Sequence, residues 1–96
     1  MAELKLISDR NRQLKPLVEA ALKNELRLLE AGIKRTEQNM RVFEKKFRLN
    51  TQEFIARYEK DEMEETLDYA DWVGEHRMLG RLQEKADTLR TIRFAN

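Results

Sequence analysis

The stretch LKNELRLLEAGIKRTEQNMRVFEKKF, residues 22–47, decides the fold. Its apolar positions recur at alternating steps of four and three, which is the a/d spacing of a heptad repeat. The apolar members of this seam are Leu22, Leu26, Leu29, Ile33, Met40, Phe43 and Phe47, and Thr36 fills the position between Ile33 and Met40. This spacing predicts an amphipathic helix over about residues 16–48 that packs against another helix along its whole length. We interpret the seam as the contact that joins copies of the chain, with a dimer favoured.

The sequence before this helix continues the pattern less regularly. The alternation extends upstream through Leu4, Ile7, Asn11, Leu14 and Val18, but Pro16 interrupts it. Proline lacks a backbone N–H and disfavours helical angles in the preceding residue. We therefore expect residues 1–15 to form a mobile or kinked N-terminal helix within a single helical domain that spans residues 1–96.

Capping signals predict two further helices after the long one. Asn50 followed by Glu53 is typical of a capping box and predicts a short helix over about residues 51–60. After a turn, Thr66 can cap a last helix that reaches about residue 93. The sequence thus predicts an all-α fold of long helix, short helix and long helix, forming a helical (coiled-coil) hairpin that dimerises into a helical bundle.

The composition is also that of long helices. Charged residues make up 39% of the chain, whereas glycine and proline together occupy only four positions. Gly74 and Gly80 fall inside the predicted last helix at a cost of about 1 kcal/mol each, so we expect another backbone to approach closely there. The chain has no cysteine, no apolar run near 18 residues and no signal-peptide pattern, which favours the cytoplasm.

Little in the chain indicates catalysis or a bound cofactor. His76 is the single histidine and cysteine is absent, which excludes Cys/His nucleophilic chemistry and ordinary zinc sites. The glycines are isolated, so no phosphate-binding loop is predicted. Asp68, Asp71 and Glu75 share one helical face, but they could hold a hard cation only with ligands from another subunit. We therefore expect a protein that is not an enzyme and has no cofactor or metal site.

Charge is distributed unevenly along a chain whose formal net charge is +1. Residues 59–75 carry eight carboxylates and one lysine. The helix dipole favours acidic residues at a helix N-terminus, but its effect fades within a turn. An acidic surface with embedded aromatic side chains suits a basic protein partner. The predicted partner-binding surface comprises Glu62, Glu64, Glu65, Asp68, Tyr69, Asp71, Trp72 and Glu75. Trp72 can equally be a core residue.

Basic residues recur every seven positions on the long helix, at Arg27, Lys34, Arg41 and Arg48. Glutamates stand four residues before three of these, at Glu30, Glu37 and Glu44. That order is favourable for ion pairs within a helix. The pattern favours a solvated, self-paired face over a nucleic-acid groove, and no aromatic residue interleaves it. We therefore do not expect nucleic acid as the partner, and no membrane segment is predicted.

A set of positions between residues 35 and 89 carries a resemblance to a known family. They are Phe43, Glu44, Thr51, Glu53, Phe54, Tyr58, Glu59, Leu67, Asp68, Trp72, Gly74, Glu75, Leu79 and Leu82. In these positions the chain resembles small helical proteins of bacteria and archaea that are regarded as the antitoxin half of toxin–antitoxin pairs. The resemblance implies binding and neutralisation of a toxin that is an RNase-like enzyme. No helix-turn-helix or ribbon-helix-helix is recognisable, so operator binding is not expected.

These observations favour a non-enzymatic, antitoxin-like module that neutralises a basic, RNase-like toxin through residues 59–75. One alternative is a structural coiled-coil adaptor whose function lies in the seam from Leu22 to Phe47. A second alternative is a nucleic-acid-associated protein that uses the basic stripe.

Overall fold

The long helix α1 covers Asn11–Phe47 in the computed structural model, which describes residues 2–4 and 11–94, with side chains described over residues 14–93. A short helix and a second long helix follow, α2 at Thr51–Glu59 and α3 at Leu67–Arg90. Two three-residue strands flank the helices, β1 at Ala2–Leu4 and β2 at Ile92–Phe94. The helix order of long, short and long confirms the predicted arrangement.

The seam of α1 packs against α3 of the same chain. Leu29, Thr36 and Met40 are buried. Phe43 and Phe47 pack against the core cluster that contains Met40. These side chains are covered because α3 folds back along α1 as the second arm of a hairpin. The hairpin is therefore confirmed: from Leu29 to Phe47 the seam packs against α3 of the same chain. That the seam also joins copies of the chain stays a prediction.

The hairpin is elongated. Its principal extents are 58 × 22 × 17 Å and its radius of gyration is 18.8 Å. A compact chain of this length would have a radius of gyration of about 12–13 Å. Because only two long helices lie side by side, each keeps a broad face that no other part of the hairpin covers.

The side chains that cap α2 and α3 are those that the sequence predicted. Asn50 Oδ1 accepts a hydrogen bond from the Glu53 N–H at 2.8 Å, and Thr66 Oγ1 accepts one from the Tyr69 N–H at 3.1 Å. The reciprocal half of the capping box is not formed, because the Glu53 carboxylate pairs with Arg57 one turn later at 2.7 Å. Both helix starts are confirmed, with the caps each contributing about 1 kcal/mol.

Residues with left-handed backbone angles end α1 and α2. Arg48 has φ 53° and Asp61 has φ 62°. After α1, the Leu49 N–H donates to the Glu44 carbonyl at 3.3 Å, which is the backbone bond of a Schellman motif. Glycine usually occupies the left-handed position because it has no Cβ to clash. The chain therefore turns sharply on either side of α2 without using a glycine.

Among the glycines, only Gly32 lies close to a facing side chain. A Cβ atom at Gly32 would lie 3.4 Å from Leu82 Cδ1 of α3. Within the described residues, no neighbouring atom lies within 4 Å of a Cβ position at Gly74 or Gly80. The close approach expected at those two positions is therefore not made inside the single chain.

Helix α1 passes through Pro16 instead of beginning at it, since it starts at Asn11. Proline near a helix start removes one backbone donor, a cost that the hydrogen-bonded turns after it can outweigh. Residues 11–15 therefore belong to α1 and are not separated from it at Pro16.

The two strands form a parallel pair in which Ala2 lies opposite Ile92 and Leu4 lies opposite Phe94. The all-α prediction is therefore wrong at residues 2–4, and α3 ends at Arg90 rather than near residue 93. The β-branched and aromatic residues of β2 favour extended backbone. Predictions for residues 1 and 5–10, including Ile7, lie outside the described residues.

Candidate protein-binding surface at the acidic bend

Trp72 lies at the centre of the core. Its side chain is 0% exposed. Its ring stacks on Phe54 with a centroid separation of 3.9 Å and an interplanar angle of 4°. Phe43 and Phe47 flank it at 5.7 and 5.8 Å. All three helices contribute a ring to this stack, so the aromatic cluster holds α2 against both arms of the hairpin.

A chain of hydrogen bonds leads from the same tryptophan to α1. Trp72 Nε1 donates to Thr51 Oγ1 at 2.9 Å. The Thr51 hydroxyl donates in turn to Glu44 Oε2 at 2.9 Å, and the Thr51 N–H donates to the same oxygen at 2.8 Å. Over residues 14–93, every buried side-chain nitrogen or oxygen has a hydrogen-bond partner. Thr51 thus satisfies the indole N–H and links all three helices through a polar contact inside an apolar cluster.

This core removes the aromatic members from the predicted partner surface. A fully buried Trp72 cannot contact a partner, so the structure corrects its assignment to an exposed surface and confirms the core alternative. The physical reason is the large apolar area that an indole ring buries. Tyr69 is half-buried and packs its ring on Phe47 and Phe54 at centroid distances of 5.0 and 5.3 Å. Core packing therefore accounts for both rings.

Four carboxylates of the predicted surface remain exposed. Glu62, Glu64 and Glu65 lie on the bend between α2 and α3, and Asp71 lies in the second turn of α3. Among the side chains described over residues 14–93, none of these four forms an ion pair. Their negative charge is therefore available to another molecule.

The other two carboxylates of that surface bind α1. Asp68 forms an ion pair with Lys46. Glu75 accepts a hydrogen bond from Asn39 Nδ2 at 3.3 Å. Both residues are partly buried and help hold α3 against α1. They are thus committed to the hairpin rather than free for a partner.

An exposed apolar side chain lies where the bend between α2 and α3 ends. Leu67, the first residue of α3, is 83% exposed. Met63, within the bend, is half-buried and packs against the core cluster. Leu67 is not among the residues predicted for the partner surface. Its position is nevertheless a signal, because a residue five places before the buried Trp72 lies off the core-facing side of the helix. We define the acidic bend as residues 60–67, all of which are exposed except Met63. Glu62, Glu64, Glu65 and Leu67 are the members that we assign to the candidate binding surface.

The basic stripe of α1 is exposed, at Arg27, Lys34, Arg41 and Arg48. Among the side chains of residues 14–93, none of the three predicted ion pairs between a glutamate and the basic residue four positions later is formed. Glu30 pairs with Arg90 of α3 at 3.0 Å, and Glu44 accepts hydrogen bonds from Thr51 of α2. These glutamates link different helices, which corrects the prediction of a self-paired face.

Clusters of metal ligands and membrane-spanning helices are absent from the part of the chain that the structure describes. There, no group of three His, Asp or Glu side chains is arranged to hold a metal ion. Over the same residues, no helix combines the length with the apolar character that crossing a bilayer requires. Asp68, one of the three carboxylates that share a face of α3, is paired with Lys46.

Comparisons with known proteins find no matching family model, no matching curated protein and no matching solved structure. The resemblance to antitoxin-like proteins therefore stays a prediction from sequence positions. Five of those positions, Phe43, Glu44, Thr51, Phe54 and Trp72, build the buried cluster described above. These five resembling positions thus pack the core beside the bend and do not form an exposed surface.

Proposed function

We propose that the chain is a non-enzymatic protein-binding module, antitoxin-like in action, that neutralises a basic, RNase-like toxin through the acidic bend. In this proposal, Glu62, Glu64 and Glu65 provide the charge and Leu67 provides the apolar contact. Trp72 and Tyr69 support the bend from the core instead of touching the partner.

The observation that carries the proposal is the unpaired charge of the bend. Three carboxylates stand within four residues, and among the side chains of residues 14–93 none of them meets a cation. Like charges this close repel one another and oppose folding. The dipole of α3 favours Glu64 and Glu65, which stand next to its N-terminus, but it compensates Glu62 less because the effect fades with distance from the helix end. A basic partner would relieve this repulsion.

Leu67 adds the second property of a binding surface. At 83% exposure it is the most exposed of the large apolar side chains described. Interfaces commonly combine an apolar contact with a charged rim. The rim charges accelerate the encounter of oppositely charged proteins, and burial of the apolar group slows their dissociation. An enzyme that acts on nucleic acid needs a basic surface for phosphates, so it is complementary to such a bend.

The test is co-expression with the product of the adjacent gene. We expect that product to inhibit growth when expressed alone, and we expect the two proteins to copurify and growth to recover when both are expressed. The triple variant Glu62→Lys, Glu64→Lys and Glu65→Lys should weaken copurification by at least about tenfold and abolish recovery. A bend variant that protects as well as the wild type would rule out this surface, and a neighbour that neither inhibits growth nor binds would rule out the function.

A matched control reverses the same number of charges away from the bend. Glu19, Glu25 and Glu84 lie on α1 and α3, and none forms an ion pair with a described side chain. Changing all three to lysine alters the net charge as much as the bend variant does. We expect the control to bind and protect like the wild type, which separates loss of the site from loss of net negative charge.

A further inference from the structure

A row of exposed positions on α3 faces away from the hairpin core. The row consists of Asp71, Gly74, Met78, Arg81 and Lys85. These residues follow one another at steps of three and four, which is the spacing of a helix–helix interface. Its first four members line one open groove, which Val42 of α1 borders. Met78 is 45% exposed and Val42 is 64% exposed. This α3 row is a second seam that the hairpin does not cover.

Charge changes sign along the α3 row. Its start is acidic at Asp71, beside Glu75, and its end is basic at Arg81 and Lys85. The helix dipole explains such an order only within the terminal turns, and Arg81 lies more than two turns before the end of α3. A second α3 running antiparallel would place acid against base twice. A parallel second α3 would place like charges together, so the charge order selects an antiparallel copy.

In one antiparallel register, the side chains that face each other across the interface are complementary in size as well as in charge. When Gly74 lies opposite Met78 of the second copy, a twofold axis passes close to residue 76. Asp71 then falls opposite Arg81 of the second copy, and Arg81 falls opposite Asp71 of the second copy. No neighbouring atom of the described chain lies within 4 Å of a Cβ position at Gly74, so a methionine side chain can lie over it. This register gives Gly74 the close approach that its place inside a helix led us to expect.

The exposed area of the single chain is large enough for such an interface. The chain exposes 7874 Å², whereas a folded monomer of 11.5 kDa typically exposes about 5,800 Å². The excess is roughly 2,000 Å², and a standard interface removes about 800 Å² from each partner. A second copy on the α3 row would therefore bring the exposed area per chain closer to that of a typical protein.

We infer that two copies of this chain form a twofold dimer in which α3 packs antiparallel against α3 of the second copy through the α3 row. The dimer does not need the seam of α1, which from Leu29 to Phe47 packs against α3 of its own chain. Leu67 continues the α3 row one step of four before Asp71 and falls opposite Lys85 of the second copy, so the interface ends at Leu67. Glu62, Glu64 and Glu65 precede that end, so each dimer presents two sets of these three carboxylates.

The dimer is tested by sedimentation velocity, which measures the mass in solution of the wild type and of charge-reversal variants. The wild type should sediment at twice the chain mass of 11.5 kDa. Asp71→Arg and Arg81→Asp should each weaken the dimer by at least about tenfold, because each places like charges opposite one another. An equal mixture of the two variants should recover the dimer, because substituted position 71 of one chain then faces substituted position 81 of the other. A chain that carries both substitutions should also recover it.

Glu37→Arg is the matched control, since it makes the same charge change as Asp71→Arg but lies in a separate groove between α1 and α3. It should remain dimeric, and the helix content and Trp72 emission of every variant should match those of the wild type. A monomeric wild type overturns the inference. So do single variants that stay dimeric, a mixture that stays monomeric, or a control that dissociates as far as Asp71→Arg.

Discussion

Thr51→Val removes one hydroxyl from the core and nearly preserves the shape of the side chain. That hydroxyl accepts from Trp72 Nε1 and donates to Glu44 Oε2, both at 2.9 Å. In the variant, the indole N–H stays at a position that is 0% exposed and has no acceptor. A buried, unsatisfied donor costs about 1–3 kcal/mol, and the lost bond to a carboxylate adds to that cost. The cost of losing the bond to Glu44 is small, because this carboxylate is half-buried and still accepts a hydrogen bond from the Thr51 N–H.

We therefore expect Thr51→Val to lower the free energy of unfolding by about 2–3 kcal/mol. In a domain of this size, that corresponds to a fall of roughly 10–20 °C in Tm. Urea unfolding followed by fluorescence measures it directly, because Trp72 is the single tryptophan. Thr51→Ser is the matched control, since it keeps the hydroxyl and loses only a methyl group, and it should cost less than about 1.5 kcal/mol.

A double-mutant cycle isolates the indole bond. In a Trp72→Phe background no N–H is left to satisfy, so Thr51→Val should cost at least about 1 kcal/mol less than it does in the wild type. Circular dichroism follows unfolding in that background. If Thr51→Val and Thr51→Ser cost the same, or if the cycle shows no coupling, the reasoning about the Trp72–Thr51–Glu44 chain is refuted.

Three further substitutions test the helix ends and an open glycine by the same urea unfolding. Arg48→Gly should raise the free energy of unfolding by about 0.5–1 kcal/mol, because Arg48 has φ 53° and glycine adopts that angle without strain; a loss of stability would contradict this. Thr66→Ala should lower it by about 1 kcal/mol by removing the cap on the Tyr69 N–H; an unchanged value would show that the cap is dispensable. Gly80→Ala should raise it by about 0.5–1 kcal/mol, since no atom lies within 4 Å of the new methyl group; destabilisation would reveal a contact outside the single chain.

Local signals predicted most of the helical architecture. The steps of four and three from Leu22 to Phe47 predicted which face of α1 is covered, because side chains at this spacing share one side of a helix. Asn50 and Thr66 predicted the starts of α2 and α3 within a residue. The prediction of what covers the seam was incomplete, because an apolar stripe specifies that another helix packs on it but not which chain supplies that helix.

The candidate site was predicted less well, because its features depend on tertiary contacts. The acidity of the bend is visible in the sequence, but whether a carboxylate is free or paired depends on α1, as Asp68 with Lys46 illustrates. Trp72 was open to two interpretations because an aromatic residue amid acidic ones suits a surface, whereas the Thr51 hydroxyl that accepts its N–H lies 21 residues away in the chain. Pairing of β1 with β2 joins still more distant segments and leaves no periodic signal.

The parallel arrangement of β1 and β2 has a mechanical consequence. With Ala2 beside Ile92 and Leu4 beside Phe94, chain attached before β1 and chain attached after β2 leave the ladder at opposite ends. Tension applied through those attachments loads the backbone hydrogen bonds of the ladder in shear, so they must break together rather than unzip one after another. The two short strands would therefore resist stretching of the fold until all of their backbone hydrogen bonds break in a single step.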